Sequence, residues 1–480
     1  MTRPSWEHWP TGSSRWADVV DRRRVVVIGA GIAGLAAADT LADRHDVVVF
    51  DADDRVGGKL RASPFAGLDS VDEGADAYLM RVPHATGLSR RLGLSGDDLV
   101  HPATGHASLW HAPRHGRARL FPLPEGLLLG VPTALGPLVR SRLISPRGLL
   151  RAATEPLRPR SDTTHDNLGR WMRARLGDEV HELLVDPLVG SIYAADTDHF
   201  SLATVAQLAD LTRERSLVLG ARRRRRRPQA SGPVFEAPRL GMASLALRIE
   251  QSLRDRGAAV HLGRRVERLE RDGRGYAVDG LAADAVVLAT PARITAALLT
   301  DVAPSVATAA GQVPAASVVM VTMAVAATTW PQHLTGSGYL VPKPDQQWVT
   351  AASFASNKWT HWRPADGSMV LRISLGRDGR RVDDWDDDLL IATAVAETSR
   401  HLGVTLEPHA VRVTRWPESF PQYRPGHLDR VAVMERDLAD LAPGVVLAGA
   451  SWRGMGVPAC IQQGQQAGGR LFQHLEQLAT

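Results

Sequence analysis

The sequence predicts an α/β fold: a discontinuous, Rossmann-like nucleotide-binding domain interrupted by one helical and one β-rich insertion. Three observations carry this reading. A strand, glycine turn, helix, strand pattern begins at Arg24. Strand and helix patterns of the same kind return after Val234 and again near the carboxyl end. Between them lie a proline-punctuated stretch of helical pattern and a stretch rich in Val and Thr. Alternation of short buried strands with helices is the mark of a parallel sheet covered on both faces.

The opening unit reads RVVVIGAGIAGLAAADTLADRHDVVVFD, from Arg24 to Asp51. Val25 to Ile28 is an apolar run of strand length. Gly29, Gly31 and Gly34 follow at GxGxxG spacing, with Ala30, Ile32 and Ala33 between them. An Ala-rich helical pattern leads to a second apolar run, Val47 to Phe50, which ends at Asp51. An acid about twenty residues past the glycines is what a dinucleotide site requires. Gly29 permits the tight turn, Gly31 lets backbone approach a pyrophosphate, and Gly34 lets helix and strand pack closely. The helix start then presents free N–H groups to phosphate, and Asp51, with Ala52 beside it, can accept from a ribose diol.

The next residues are Asp53-Asp54-Arg55-Val56-Gly57-Gly58-Lys59. Two glycines again allow close backbone approach, and the Arg55 guanidinium can fork onto phosphate oxygens. An ordinary NAD unit needs no such pair. This extension of the fingerprint resembles the flavin-dependent amine oxidase superfamily, in which an RxGG element runs along the FAD pyrophosphate.

The remaining pattern fills in the domains. Leu240 to Arg256 is helical. Ala258 to Leu262, Val266 to Leu269, Asp284 to Pro291 and Gly444 to Ala450 read as strands, and Gln462 to Gln477 as helix. Residues 24–95, 231–295 and 426–480 are therefore expected to form the nucleotide domain. Residues 96–230 form a helical insertion. Residues 296–425, with Ser317 to Val325 and Met369 to Ser374 as strands and Leu389 to His401 as helix, form a β-rich substrate domain. Residues 1–23 are expected to be a mobile extension carrying Trp6, Trp9 and Trp16.

Composition narrows the function class. The 480 residues are too many for one core, and 57 Lys and Arg against 52 Asp and Glu leave a net charge of only +5. Nearly all the cations are arginine, since Lys59, Lys343 and Lys358 are the only lysines. Arg222 to Arg227 is expected to be a solvated, self-repelling loop, because it lacks the interleaved aromatics of a nucleic-acid surface. One cysteine, Cys460, excludes intrachain disulfides and argues against a thiolate metal cluster; it reads as a buried small residue. No metal is expected. The amino terminus lacks the apolar centre of a secretion signal, and no apolar run has transmembrane length. A cytoplasmic location is expected, with peripheral contact at the inner face of the membrane as a further option. Leu127 to Val139, interrupted by Pro132 and Pro137, reads as core or channel lining.

Further segments sharpen the resemblance. Asp72 to Leu79 (DEGADAYL), Asp186 to Asp196 (DPLVGSIYAAD), Arg415 to Tyr423 with Gly426 and His427, and Gly449 to Ile461 (GASWRGMGVPACI) stand in the order found in bacterial protoporphyrinogen and coproporphyrinogen III oxidases. From about residue 24 to the end the chain resembles that family, and its arginine-rich character resembles members from high-GC Gram-positive bacteria. The resemblance implies an amine-oxidase-like FAD-binding domain. It implies six-electron oxidation of coproporphyrinogen III to coproporphyrin III in haem biosynthesis, with O2 as acceptor and H2O2 released. The alternatives are protoporphyrinogen IX or another amine-oxidase or carotenoid-desaturase type of substrate. FAD contacts are carried over to Gly29 through Gly34, Asp51, Ala52, Arg55, Gly58, Lys59, Gly74, Ala75, Asp76, Ala77, Val266, Trp416, Met455, Gly456 and Val457. Flavin N5 does the hydride chemistry, so no protein base is assigned; His427 reads as structural. Arg81 is the first choice to grip a propionate, ahead of Arg114, Arg117 and Arg119. Ala459 stands where the family usually has aspartate, and Val82 and Pro83 stand where some relatives carry lysine. A ferrochelatase that takes the product is an implied transient partner.

Overall fold

The computed structural model describes residues 22–159, 165–226 and 232–479. In chain order its principal strands are β1 (Arg24–Ile28), β2 (Asp46–Phe50), the hairpin β3 (Ala62–Phe65) and β4 (Leu68–Asp72), the hairpin β5 (Ala107–His111) and β6 (Arg119–Pro122), β7 (Ala259–His261), β8 (Ala285–Leu288), β9 (Ala315–Val325), β10 (Gly338–Leu340), β11 (Val349–Phe354), β12 (Met369–Leu375), β13 (Pro408–Pro421) and β14 (Val445–Leu447). Its principal helices are α1 (Ile32–Leu41), α2 (Leu168–Leu176), α3 (Asp186–Tyr193), α4 (Leu217–Arg225), α5 (Ala243–Asp255), α6 (Asp387–Leu402), α7 (His427–Leu441) and α8 (Val457–Ala479).

Five strands from widely separated parts of the chain form a parallel sheet in the order β7-β2-β1-β8-β14. Val25, Val26 and Val27 are wholly buried, as are Val286, Val287 and Leu288. Such unbroken apolar runs suit strands covered on both faces, and each large side chain buried there contributes roughly 1.5–3 kcal/mol. One cover is α1 with α8, whose backbones lie close together. A Cβ on Gly464 would stand 2.1 Å from Ala33 O, and one on Gly468 2.8 Å from Thr40 Cβ. Small residues at i and i+4 on α8 therefore set this helix spacing. The expected strand at Val266 begins instead at Leu269. Val266 lies in the connection before it, buried beside Phe50 and Leu269 in the core.

A second sheet of seven strands runs β13-β9-β12-β11-β10-β5-β6. Its outer hairpin, β5 and β6, comes from the 96–230 stretch that reads as helical in the sequence. The helices that follow pack around Trp171, Met172, Leu184 and Phe200. Val131 and Leu138 lie in the same core and Leu127 packs against it, so the apolar Leu127 to Val139 stretch is mostly interior. Lys343 ties these helices to the sheet through Asp196 at 2.7 Å and Asp198 at 3.0 Å, and Arg377 reaches Asp186 at 3.3 Å.

The arginine run departs from its expected loop. Arg222 to Arg225 continue α4. Ser216 caps the helix start, and the buried Glu155 carboxylate accepts from Leu217 N at 2.8 Å while pairing with Arg175. Arg223 meets Glu214 and Arg224 meets Asp210, each at 3.0 Å, which offsets the self-repulsion. Arg227 and the tryptophan-bearing residues 1–21 lie outside the described residues.

Candidate flavin-binding site

The three glycines of the first turn are required for three different reasons. Gly29 has φ +106°, and a Cβ there would lie 2.8 Å from Ala289 O on the neighbouring strand connection. A Cβ on Gly34 would fall 1.9 Å from Gly29 O, so only glycine lets α1 close onto β1. Gly31 has an ordinary extended backbone, φ −66° and ψ 169°, and a Cβ there would meet no protein atom within 4 Å. Nothing inside the protein demands glycine at Gly31; the space above it is left for something else. A nucleotide pyrophosphate needs that access.

The second glycine pair is folded onto the first turn. Gly57 N donates to Ala30 O at 2.8 Å, and Gly31 and Gly57 form a parallel bridge. A Cβ on Gly58 would stand 3.3 Å from Gly31 Cα. The Arg55 guanidinium donates within its own loop, to Gly58 O at 2.7 Å and Leu60 O at 3.3 Å. The guanidinium here stiffens the glycine pair. Asp51 accepts from Ala30 N at 2.6 Å and Asp53 N at 2.8 Å. Burial raises its carboxyl above the usual range, and those two N–H bonds oppose the shift. Ala52 is exposed beside it. Arg264 N donates to Asp51 O at 2.8 Å, which places Val266 on the Asp51 side of the turn.

Lys59 joins this turn to the seven-stranded sheet, its Nζ donating to Ser419 O. The side chain is solvent-accessible, yet it sits in a recess crowded by protein. That desolvation pushes its ammonium down to about 8. A Cβ on Gly74 would lie 2.7 Å from Lys59 O and 3.2 Å from the Trp416 ring. Trp416 is fixed by Nε1 donating to Glu73 O at 3.0 Å. Asp76 is clamped by Lys358 at 2.7 Å, Trp359 Nε1 at 3.1 Å and Arg372 at 3.2 Å. Burial would raise this carboxyl, but Lys358 and then Arg372 outweigh it and hold it at about 2. Ala75 is exposed and Ala77 half-buried on the same segment.

A second strand–turn–helix completes the cluster. Met455 and Gly456 lie between β14 and α8, and Val457 starts the helix. Gly454 has φ +140°, and a Cβ on Gly456 would touch only Pro458 Cδ, at 3.9 Å. The turn is pinned from behind. Tyr423 Oη donates to Ala450 O at 2.5 Å, His427 Nε2 donates to Trp452 O at 2.7 Å, and Gln463 Nε2 donates to Gly454 O at 2.9 Å. His427 stacks on Tyr423, and burial pushes its imidazole down to about 4, so it is a neutral strut. Cys460 is buried with its thiol pushed up to about 11, an inert packing residue.

Gly31 meets Gly58, and Gly74 meets Lys59 and Trp416, so separate chain segments are brought together here. Sequence reasoning missed Lys358, Trp359, Arg372, Tyr423 and Gln463, because their partners are remote in the chain. Arg81 is exposed, just before the helix Pro83–Arg91. Arg119 lies on β6, and Arg114 and Arg117 in the hairpin turn before it. Trp416 is on β13 at the opposite edge of the sheet, about 30 Å away at ordinary strand spacing. Among the described residues no three His, Cys, Asp or Glu side chains are arranged to hold a metal ion. None of their helices is long and apolar enough to cross a membrane.

This geometry coincides with a match of residues 32–471 to the model of the flavin containing amine oxidoreductases. The chain belongs to that family. It is 32% identical to the coproporphyrinogen III oxidase of Bacillus subtilis, over 93% of this chain and 97% of the relative. It is 34% identical to the coproporphyrinogen III oxidase of Mycobacterium tuberculosis, over 92% and 95%. Among solved structures, a putative protoporphyrinogen oxidase from Exiguobacterium superposes with a TM-score of 0.81 at 29% identity, covering 95% of this chain and 99% of that one. The family uses a flavin, and the open space at Gly31 and Gly456 beside a lysine fits a nucleotide with a planar, partly anionic head group.

Proposed function

We propose that this chain is an FAD-dependent, oxygen-consuming coproporphyrinogen III oxidase of haem biosynthesis. The observation that carries the reading is the near full-length relation to coproporphyrinogen III oxidases, joined to the glycine cradle at Gly31 and Gly58. Losing six electrons and six protons turns the porphyrinogen into the aromatic porphyrin, while three O2 become three H2O2. The flavin, when bound, supplies the hydride acceptor at N5 and passes the electrons to O2.

The chain's own residues bind and orient. Gly29 to Gly34 and Gly58 take the pyrophosphate by backbone, and Asp51 accepts from the ribose. Lys59 brings a positive charge into the cleft. Gly74 to Ala77, Trp416 and Met455 to Val457 flank the ring end, and Val266 serves the adenine side. Pyrrole N–H groups and solvent carry the protons; His427 is committed to Trp452 O. The domain division at 95, 230, 295 and 425 belongs to this reading. So does transient contact with a ferrochelatase. Peripheral attachment to an anionic membrane is supported by exposed Val139, Leu150, Leu157 and Leu219 on the arginine-rich helical unit.

The test is direct. Purified protein is expected to be yellow and to turn anaerobically prepared coproporphyrinogen into fluorescent porphyrin when air is admitted. Bound flavin without porphyrin defeats the substrate assignment. The name of the Exiguobacterium relative favours one second reading, protoporphyrinogen IX, and comparing kcat/KM for the two substrates separates them. Arg81→Ala is expected to raise KM about tenfold with kcat kept, as for a lost carboxylate anchor; an unchanged KM removes Arg81 from the site.

A further inference from the structure

Next to the Gly74 to Ala77 segment lies a cluster of buried polar side chains. On β9, Thr322 is paired across the sheet with Arg372 of β12 and Arg412 of β13. Both arginines reach the adjacent hairpin and the segment after it. Arg412 donates to Ser63 Oγ at 2.7 Å and Val71 O at 3.1 Å, and Arg372 donates to Gly74 O and pairs with Asp76. Asp72, the last residue of β4, is buried against them. Its Oδ1 accepts from Met242 N at 2.8 Å, at the start of α5. Its Oδ2 has no partner, nor do Thr322 Oγ1, Arg372 Nε and Arg412 Nε.

Among the described residues, that Oδ2 is the only buried carboxylate oxygen so placed. The next residue, Glu73, is just as buried, yet both its oxygens are engaged, by Ser63 Oγ at 2.7 Å on one side and by Thr414 Oγ1 at 3.0 Å and Arg61 at 3.1 Å on the other. An ionised oxygen buried without a donor is costly, whereas a protonated carboxyl can itself donate.

We propose that Asp72 is a titrating positioning residue for the flavin-facing Gly74 to Ala77 segment. Protonated, it leaves Arg372 to Gly74 O and Asp76. Ionised, it draws the guanidinium toward itself and slackens that hold. The facing charges are Arg372 and Arg412 from the sheet and Asp76 from the segment, with Lys358 behind Asp76 and Glu73 with Arg61 on the hairpin side. Burial is the largest influence on Asp72, ahead of the opposing Arg372, the Met242 N–H and Arg412 and of the reinforcing Asp76, and it pushes the carboxyl up to about 7. The switch therefore falls near neutral pH.

The inference rests on the flavin reading, and the experiment separates the two. FAD dissociation from the holoprotein is measured by flavin fluorescence from pH 5.5 to 8.5 in wild type, Asp72→Asn and Thr322→Val. In wild type the affinity is expected to weaken about tenfold with rising pH, a typical coupling. Asp72→Asn, which keeps shape and one acceptor, is expected to lose the step near pH 7 and to keep only the weakening near pH 8 that loss of the Lys59 charge contributes. Thr322→Val, which removes no titrating group, is expected to keep the slope. A wild type without the step near pH 7, or a step near pH 7 that survives in Asp72→Asn, overturns the proposal. Infrared difference spectra of the wild-type protein between pH 6 and 8 decide the matter if Asp72→Asn does not fold: loss of a carboxylic-acid band supports the assignment, and no change overturns it. A protein that takes up no FAD at any pH fails the flavin reading; one that holds FAD with pH-independent affinity fails this inference alone.

Discussion

Around Gly31 the cleft wall is apolar strand and bare backbone, and its shape is set by what glycine lacks. Around Asp76, by contrast, Lys358, Trp359 and Arg372 converge on one carboxylate. The first region is assembled by neighbours in sequence. The second is a seam between residues 282 apart in the chain. Backbone contact adds no titrating group of its own, whereas a charged seam is built from groups that respond to pH.

The sharpest way to break the comparison lies inside the first region. Gly34→Ala places a methyl on Gly29 O and is expected to cost about 3 kcal/mol or more in urea denaturation, as overpacking does. Gly31→Val adds more atoms at a position with no protein neighbour, so its denaturation midpoint without FAD is expected to stay put. Its FAD affinity is expected to fall at least about 100-fold, which is about 2.7 kcal/mol. If Gly31→Val unfolds or retains stoichiometric flavin, the placement of the pyrophosphate is wrong.

The seam is tested by pH. Asp76 has its folded value depressed to about 2 from an ordinary 3.8. The stabilisation this gives is complete above about pH 4 and is lost as pH falls towards 2. Asp76→Asn is expected to lose about 2 kcal/mol at pH 7 and to show a flatter acid limb; an unchanged acid limb would refute the clamp. The smallest effect is expected from Trp416→Phe, which removes one hydrogen bond to Glu73 O, about 1 kcal/mol by thermal denaturation. A larger loss would mean that the indole supports more of Gly74 than its hydrogen bond suggests.

The two regions also differ in how readable they were. GxGxxG, RxGG and Asp51 announced the cradle because their causes are local: a turn, a helix start, a strand end. That Arg55 also braces its own loop is not readable there, because a sequence does not show which carbonyls a guanidinium will find. Arg222 to Arg225 were read as loop because a charge run repels itself, and nothing nearby showed that Glu214, Asp210 and a cap supplied by Glu155 would hold them in helix. Lys358 and Arg372 give no such signal, since isolated charges in a sequence do not reveal their partners, and Asp72 enters only as the first residue of the DEGADAYL segment. The turn at Met455 was found only through its likeness to relatives; the struts Tyr423 and Gln463 that brace it were invisible.

The order of the parallel sheet has a consequence for synthesis. Its last strand, β14, and the helix α8 that packs on α1 are made late, although the glycine turn beside them is made early. A nascent polypeptide in which those residues have not yet been made lacks that edge strand and half of the helical cover. Closing the sheet must therefore wait for them, and until then the emerging amino-terminal unit leaves an apolar face exposed for chaperones to shelter.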